Sequence, residues 1–279
     1  TRLVVDGLVD CTLTLPSTVV NLTVQNTAGL SLVGTEQLTE LNDLFENERL
    51  TMTPCPRLRA FRLDFEDSGI ITELPFSSAD APALTALCLT APTIAPSFAL
   101  PTGLVSLDVN CRSDYDFDIA RLEALPLLRD LQVGFHPIRS VDFSRLTTLT
   151  QLSTIGFPVR RLPTSLVRCT TMVREDFDFS PLTRLTKLAV SFFPQDHLTF
   201  PTGLKTLKAN TTPRNSNIAD IALETFKHHL PRDPLTRTDL ERLPKTLRKF
   251  KGKCEPPSLQ EQLRDIFPLL VHLPSDDSP

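Results

Sequence analysis

The stretch LPTGLVSLDVN, residues 100–110, recurs in closely similar form as FPTGLKTLKAN at residues 200–210. Both copies keep the Pro-Thr-Gly-Leu run, a second leucine three residues later and a closing asparagine. A related unit at residues 3–24 aligns with residues 188–209 without a gap. Self-similarity at long separation is the signature of a repeat protein, so each residue has to be interpreted by its place in the repeat.

Every unit ends in the pattern L-x-x-L-x-L, and the units follow one another at about 21 residues, inside the range of solenoid repeats. The pattern occurs at residues 58–63, 84–89, 104–109, 128–133, 185–190 and 204–209. Alternate residues of a strand share a face, so L-x-L places two apolar side chains together. One such strand cannot bury that face alone. Copies stacked about 4.8 Å apart form a parallel sheet with a continuous core.

The pattern assigns one central strand residue to each coil. The return segments are of two kinds. LP-T/S segments predict turns, because proline fixes φ and cannot join a ladder. F-S-x-L-T-x-L segments, at residues 143–149 and 179–185, suit helical or 3₁₀ turns. Residues 38–44 and 223–230 have helix-like spacing but fill two gaps in the array. The predicted central residues are Leu3, Leu22, Leu41, Phe61, Leu87, Leu107, Leu131, Leu152, Cys169, Leu188, Leu207, Phe226 and Phe250.

An all-β sandwich with irregular short strands is the alternative fold, but it does not predict a gap-free internal alignment. The array resembles the leucine-rich-repeat superfamily over essentially the whole chain. Its LP-T-x-L units are similar to those of bacterial effector proteins and some protist arrays, and LTRLTKL looks like the phosphatase-regulator type. The resemblance implies an α/β repeat solenoid: an arc or horseshoe with a parallel β-sheet on the concave face and short 3₁₀, helical or irregular convex segments.

We expect a solenoid of about 12–13 coils over residues 1–257, and a C-terminal capping helix with a flexible tail over residues 258–279. Ser258 and Glu261 have capping-box spacing. An apolar stripe follows at helical spacing, formed by Leu259, Leu263, Ile266, Phe267 and Leu270. The N-terminal residues enter directly as a strand without a polar cap, so we expect this edge to need a cap or a partner. The oligomeric state is left open.

Charge is unevenly distributed along the chain. Residues 1–140 contain 9 Arg, no Lys and 18 acidic residues, whereas residues 141–279 contain 20 Lys and Arg against 15 acidic residues. We expect the concave face to become basic toward the C-terminal half and to attract a protein with an acidic segment. Nucleic acid is less expected, because this face lacks aromatic residues for stacking. The predicted partner-binding residues are Arg59, Arg62, Asp64, Asp108, Asp130, Gln132, Gln151, Arg168, Lys187, Lys205, Lys208, Lys249 and Lys251.

No catalytic, cofactor or metal site is predicted. Cys254 has no activating histidine near it in the sequence. His228, His229 and Asp233 are a weak metal pattern, because adjacent histidines on a helix point in different directions. The acidic run at residues 114–118 lacks the glycine and terminal glutamate of a calcium loop.

The six cysteines have no paired spacing, which favours free thiols and a cytoplasmic location, with a secreted or cell-surface protein as the alternative. No apolar run is long enough to span a membrane. The sequence therefore predicts a non-enzymatic scaffold that binds a partner protein on its concave face. Two alternatives stay open: a targeting or regulatory domain of a larger enzyme or signalling protein, and a secreted effector or surface protein.

Overall fold

The computed structural model describes residues 1–27, 29–44, 50–64, 70–95, 97–111, 119–134, 140–174, 176–193, 196–213, 215–228, 234–255 and 257–271. The chain forms two compact units, Thr1–Ile138 and Arg139–Pro279. Each unit is a coil of parallel strands with few helices, as the repeat pattern predicts.

The first unit has one long parallel sheet of order β1-β3-β5-β7-β9-β11-β12. The return segments add two smaller sheets, β2-β4-β6 and β8-β10. The elements are β1 (Arg2–Asp6), β2 (Thr12–Thr14), β3 (Asn21–Gln25), β4 (Ser31–Val33), β5 (Glu40–Leu44), β6 (Thr51–Met52), β7 (Ala60–Asp64), β8 (Ile70–Ile71), β9 (Ala86–Ala91), β10 (Thr93–Ile94), β11 (Ser106–Cys111), α1 (Ala120–Glu123) and β12 (Asp130–Gly134).

The second unit repeats this arrangement with the parallel order β14-β15-β17-β19-β21-β22, with β13 beside β14 and a smaller sheet β16-β18-β20. The elements are β13 (Val141–Asp142), β14 (Gln151–Arg161), β15 (Arg168–Met172), β16 (Phe177–Asp178), β17 (Lys187–Ser191), β18 (His197–Thr199), β19 (Thr206–Ala209), β20 (Asn215–Ser216), a 3₁₀ turn (Ile218–Asp220), β21 (Thr225–His228), α2 (Arg237–Glu241), β22 (Lys249–Lys251), α3 (Ser258–Glu261) and α4 (Leu263–Ile266).

The predicted central residues lie in register within each unit. In the first unit, Leu3 pairs with Leu22, which pairs with Leu41, and the series continues to Leu131. In the second, the series runs from Leu152 to Phe250. The described part of each segment with helix-like spacing therefore contains a strand, Glu40–Leu44 or Thr225–His228, because stacking between two neighbouring strands outweighs a weak local preference.

Both kinds of return segment close through i→i+3 hydrogen bonds. The amide of Leu204 donates to the carbonyl of Pro201 at 3.1 Å in the LP-T type. In the other type, Leu146 donates to Phe143 and Leu149 donates to Leu146, both at 3.0 Å. These are single 3₁₀-like turns rather than helices, and they deliver each first leucine of the pattern into the core.

The two ends of the chain differ in burial. On β1, Leu3 and Val5 stay partly exposed, whereas Leu22 and Val24 beside them on β3 are fully buried. At the other end, the ring of Phe267 stacks on that of Phe250 with centroids 6.5 Å apart. The helical segment after β22 therefore packs against the last strand.

The capping box predicted at Ser258 is wrong. Pro257 is the N-cap residue of α3, with helical φ and ψ, and no side chain caps this helix. Ser258 already lies inside the helix, where its hydroxyl cannot take the capping role. A capping box forms instead on α2, between Thr236 and Asp239. The predicted tail, residues 274–279, lies outside the described residues.

No helix within the described ranges is both long enough and apolar enough to cross a membrane.

Candidate functional site

In the second unit, the strand residues that alternate with the buried leucines form an outward surface, which we call the open face. Because the strands are in register, these residues form two columns that cross the sheet. The column before the central residue is Gln151, Arg168, Lys187, Thr206, Thr225 and Lys249. The column after it is Ser153, Thr170, Ala189, Lys208, Lys227 and Lys251.

Three lysines occupy successive rungs of the second column. Lys208 is in register with Lys227, and Lys227 with Lys251. Neighbouring strands lie about 4.8 Å apart, so these three side chains start from adjacent points. We call Lys208, Lys227 and Lys251 the lysine ladder.

The open face carries cations without acids. Strands β15, β17, β19, β21 and β22 contain no aspartate or glutamate. Among the described residues, none of the face's cations is within ion-pair distance of a carboxylate. These cations are Arg168, Lys187, Lys208, Lys227, Lys249 and Lys251. Like charges on adjacent strands destabilise a sheet, so this column costs free energy of folding.

Two of the predicted binding residues lie beside the strands rather than on them. Arg59 directly precedes β7, and Lys205 directly precedes β19. The ammonium of Lys205 lies 3.5 Å from a carboxylate oxygen of Glu224. Lys205 is therefore partly neutralised. Sequence reasoning missed Lys227, although placing Phe226 as a central residue already implies that the next residue points outward.

The corresponding residues of the first unit are engaged with one another. The Arg62 guanidinium lies 3.2 Å from a carboxylate oxygen of Asp64. Gln132 donates from Nε2 to Asp108 at 2.9 Å across two neighbouring strands. Partial burial raises the pKa of Asp108, while the bond from Gln132 opposes that rise. Asp130 lies on β12, where its register partner is Ser106.

Cys88 belongs to the same cluster of the first unit. Burial, and next the nearby charge of Asp108, raise the pKa of its thiol to about 11. Cys88 is therefore a protonated hydrogen-bond partner of Asp108 near neutral pH. Arg62 and Asp64, and Asp108 with Gln132 and Cys88, are thus engaged with one another, in contrast to the cations of the open face. Among the described residues, the buried Oδ1 of Asp130 has no hydrogen-bond partner.

A cavity of about 340 Å³ adjoins the lysine ladder. It forms where β14 leaves register with β15: Ser153 pairs with Thr170, but the next pair is Pro158 with Met172. Gly156 lies in this irregular stretch with φ of +87°, a conformation that favours glycine. Its lining is mostly small or apolar, and Lys208 is its one charged member. The lining residues are Thr154, Ile155, Gly156, Thr170, Thr171, Met172, Ala189, Val190, Ser191, Lys208, Ala209 and Asn210.

The side chain of Asn210 hydrogen-bonds the backbone of the preceding coil. Its amide oxygen accepts from the backbone N–H of Phe192 at 3.0 Å, and its Nδ2 donates to the carbonyl of Phe192 at 2.9 Å. Asn217 holds the backbone of Phe200 in the same manner, at 2.7 and 3.0 Å. Each asparagine side chain therefore joins its own coil to the preceding one by hydrogen bonds.

Within the described residues, no cluster of three or more His, Cys, Asp or Glu is placed to hold a metal ion. Cys254 is buried, and burial raises its pKa to about 11. His229, Asp233 and the acidic run at residues 114–118 lie outside the described residues. All six cysteines are free thiols.

A structural comparison identifies a similar solved protein, an internalin (inlF) from Listeria monocytogenes. The match has a TM-score of 0.50 and 17% sequence identity, and it covers 94% of this chain and 82% of the internalin chain. At this identity the likeness shows the fold alone. Together with the parallel strand order, it shows that this chain has the leucine-rich-repeat fold. No protein-family model matches the chain, and no curated protein matches it in sequence.

Proposed function

We propose that this chain is a non-enzymatic recognition scaffold and that the open face of its second unit binds an acidic segment of a partner protein. The observation that carries the proposal is the unbalanced charge of the face: six cations on five strands that hold no acid. Local choices that oppose stability are expected at functional sites. Steering by such a face accelerates association with an acidic partner and is sensitive to salt.

Protein is favoured over nucleic acid by the chemistry of the strand positions. Base stacking needs aromatic side chains beside the cations. The open-face residues within the described strands β14 to β22 include none.

The test compares two triple variants with equal changes in net charge. Lys208→Glu, Lys227→Glu and Lys251→Glu reverse the ladder. Arg184→Glu, Arg242→Glu and Arg264→Glu reverse three exposed cations elsewhere in the unit and form the control set. Proteins captured from lysate of the source cells are quantified by mass spectrometry, and the leading candidate is then purified and titrated by calorimetry.

We expect the purified partner to bind the native chain and the control, and to bind the ladder variant at least about tenfold more weakly. The difference in affinity between the native chain and the ladder variant should decrease as salt rises from 0.05 to 0.5 M. Equal binding by both triple variants would refute the proposed face.

We also propose a reducing, cytoplasmic location, on the basis of the cysteines. All six are free, and burial raises the pKa of Cys55, Cys111 and Cys169 as well as that of Cys254. Alkylation of intact cells followed by mass spectrometry tests this location. Disulfide-linked cysteines in the protein isolated from those cells would favour the secreted or surface alternative.

A further inference from the structure

We propose that the lysine ladder and the adjoining cavity form one composite site for an extended peptide segment in which an apolar residue precedes or follows acidic residues. This inference rests on the proposed function and specifies the partner's chemistry. The two parts of the site are contiguous, because Lys208 is both the first rung of the ladder and a lining residue of the cavity. Along the same column, Ser153, Thr170 and Ala189 offer small side chains before the three lysines begin.

The cavity suits an apolar side chain. Ile155, Met172 and Val190 contribute apolar lining, and the side chain of Ile155 is 55% exposed. A volume of about 340 Å³ has room for a leucine or phenylalanine side chain, and it is near the lower end of the range for small-molecule sites. Interfaces concentrate their energy in such anchors, buried in a pocket and surrounded by polar contacts.

The spacing of the strands sets the spacing of the peptide. Ala189 lines the cavity, and along its column Lys208 is one strand spacing away and Lys251 three, or roughly 5 and 15 Å. An extended peptide advances about 3.3 Å per residue, and its alternate side chains share a face. An apolar residue at one position and acids at the second and fourth positions from it therefore place both carboxylates over the ladder.

Charge complementarity selects acidic residues for the other part of the segment. Each carboxylate that arrives reduces repulsion between neighbouring lysines in addition to forming its own ion pair. A purely polyanionic ligand uses the ladder but leaves the cavity empty. A ligand with an apolar residue and acidic residues needs both the cavity and the ladder, so changing either one should lower its affinity.

The probes are fluorescein-labelled nine-residue peptides with one leucine and glutamates at the second and fourth positions from it, separated by serines. One peptide has the leucine on the N-terminal side and one has it on the C-terminal side, since the structure does not select a direction. In two control peptides, the leucine becomes serine or the glutamates become glutamine. Binding is measured by fluorescence anisotropy.

Two variants of the chain test the two halves separately. Ala189→Leu fills the cavity, and Ala86→Leu, at an outward strand position of the first unit, is its matched control. The second variant removes the charge of the lysine ladder by combining Lys208→Gln, Lys227→Gln and Lys251→Gln. Its matched control combines Arg184→Gln, Arg242→Gln and Arg264→Gln. Thermal melting confirms that each variant is folded.

We expect one peptide direction to bind, with affinity reduced at least about tenfold by the leucine-to-serine change and by Ala189→Leu, because each removes the buried anchor. The ladder variant should weaken binding by a similar factor, and neither matched control should change it. Absence of binding by both peptides at millimolar concentration overturns the inference. Peptide binding that survives Ala189→Leu with unchanged affinity also overturns it.

The proposed function is judged by a different result. If the partner captured in the triple-variant experiment binds the Ala189→Leu chain as tightly as the native one, the open face is a binding surface but the composite site is refuted. If that partner ignores the ladder as well, the proposed function fails with it.

Discussion

Removing the central lysine of the ladder should stabilise the protein, and the gain should disappear in high salt. Lys227 has a lysine in register on each side, at strand spacings of about 4.8 Å. Long side chains spread, so we take about 6 Å between ammonium groups. In bulk water each such pair repels by about 0.7 kcal/mol, or about 1.4 kcal/mol for two pairs.

Salt reduces this repulsion by a calculable factor. At 0.15 M, where the Debye length is about 8 Å, roughly half remains, so Lys227→Gln should raise the free energy of unfolding by about 0.6 kcal/mol. At 1 M, where the Debye length is about 3 Å, the gain should fall to about 0.2 kcal/mol. Lys208→Gln and Lys251→Gln each remove one pair and should give about half the effect.

The assay is urea denaturation followed by circular dichroism at 0.05, 0.15 and 1 M salt. Lys205→Gln is a control of opposite sign, because Lys205 pairs with Glu224 at 3.5 Å, and its loss should cost a few tenths of a kcal/mol. A destabilising Lys227→Gln, or a gain that persists at 1 M salt, would refute the repulsion between neighbouring lysines.

Three further predictions concern the first unit. In urea denaturation, Leu22→Ala should lower the free energy of unfolding by about 3 kcal/mol, and Leu3→Ala, at a partly exposed position, should lower it by about half as much. Equal losses for the two variants, together with a dimer in analytical ultracentrifugation, would mean that β1 is covered in solution. Gly34→Ala should destabilise the unit by at least about 1 kcal/mol in the same assay, because φ is +78° and a Cβ would lie 2.9 Å from the carbonyl oxygen of Leu15. Asp108 has a raised pKa in the folded chain, so its contribution to stability is present below the ordinary Asp pKa of about 3.9 and is lost as pH rises. Asp108→Asn should therefore become more stable relative to the native chain as pH increases from 3.5 to 7, and a stability difference that stays constant over this range would contradict the burial of the charge.

The register of the sheet could be predicted from sequence because it depends on one rule applied many times. Strand alternation fixes which residues face the core, and the repeat fixes which residues are neighbours. Leu41 and Phe226 illustrate the strength of the rule, since each lies on a segment with helix-like spacing and is nevertheless in register with its neighbours. In both cases, hydrogen bonds to the two flanking strands stabilise the segment more than a short isolated helix would.

The cavity could not be predicted, because it depends on an irregularity of one strand. Nothing in the residues around Gly156 indicates that β14 separates from β15 there and continues to Arg161. The pairing of Lys205 with Glu224 could have been predicted, because each residue lies two positions before a predicted central residue, Leu207 or Phe226, and those two are in register. The role of Asn210 could not be predicted either, because its partner is the backbone of the preceding coil rather than a side chain.

The lysine ladder follows from the same geometry that builds the core. An in-register parallel coil brings equivalent residues of successive repeats into contact, so a repeat that places leucine inside also places its outward residues side by side. In the first unit these neighbours are complementary, as Asp108 and Gln132 show. In the second unit Lys208, Lys227 and Lys251 repel one another, and a single glutamate in place of Lys227 would relieve the column. Local choices that oppose stability are expected where a protein binds something else. Lys227→Gln should therefore raise the free energy of unfolding, and the ladder variant should lose peptide binding, for the same reason. Both changes remove the repulsion between lysines that an acidic ligand relieves.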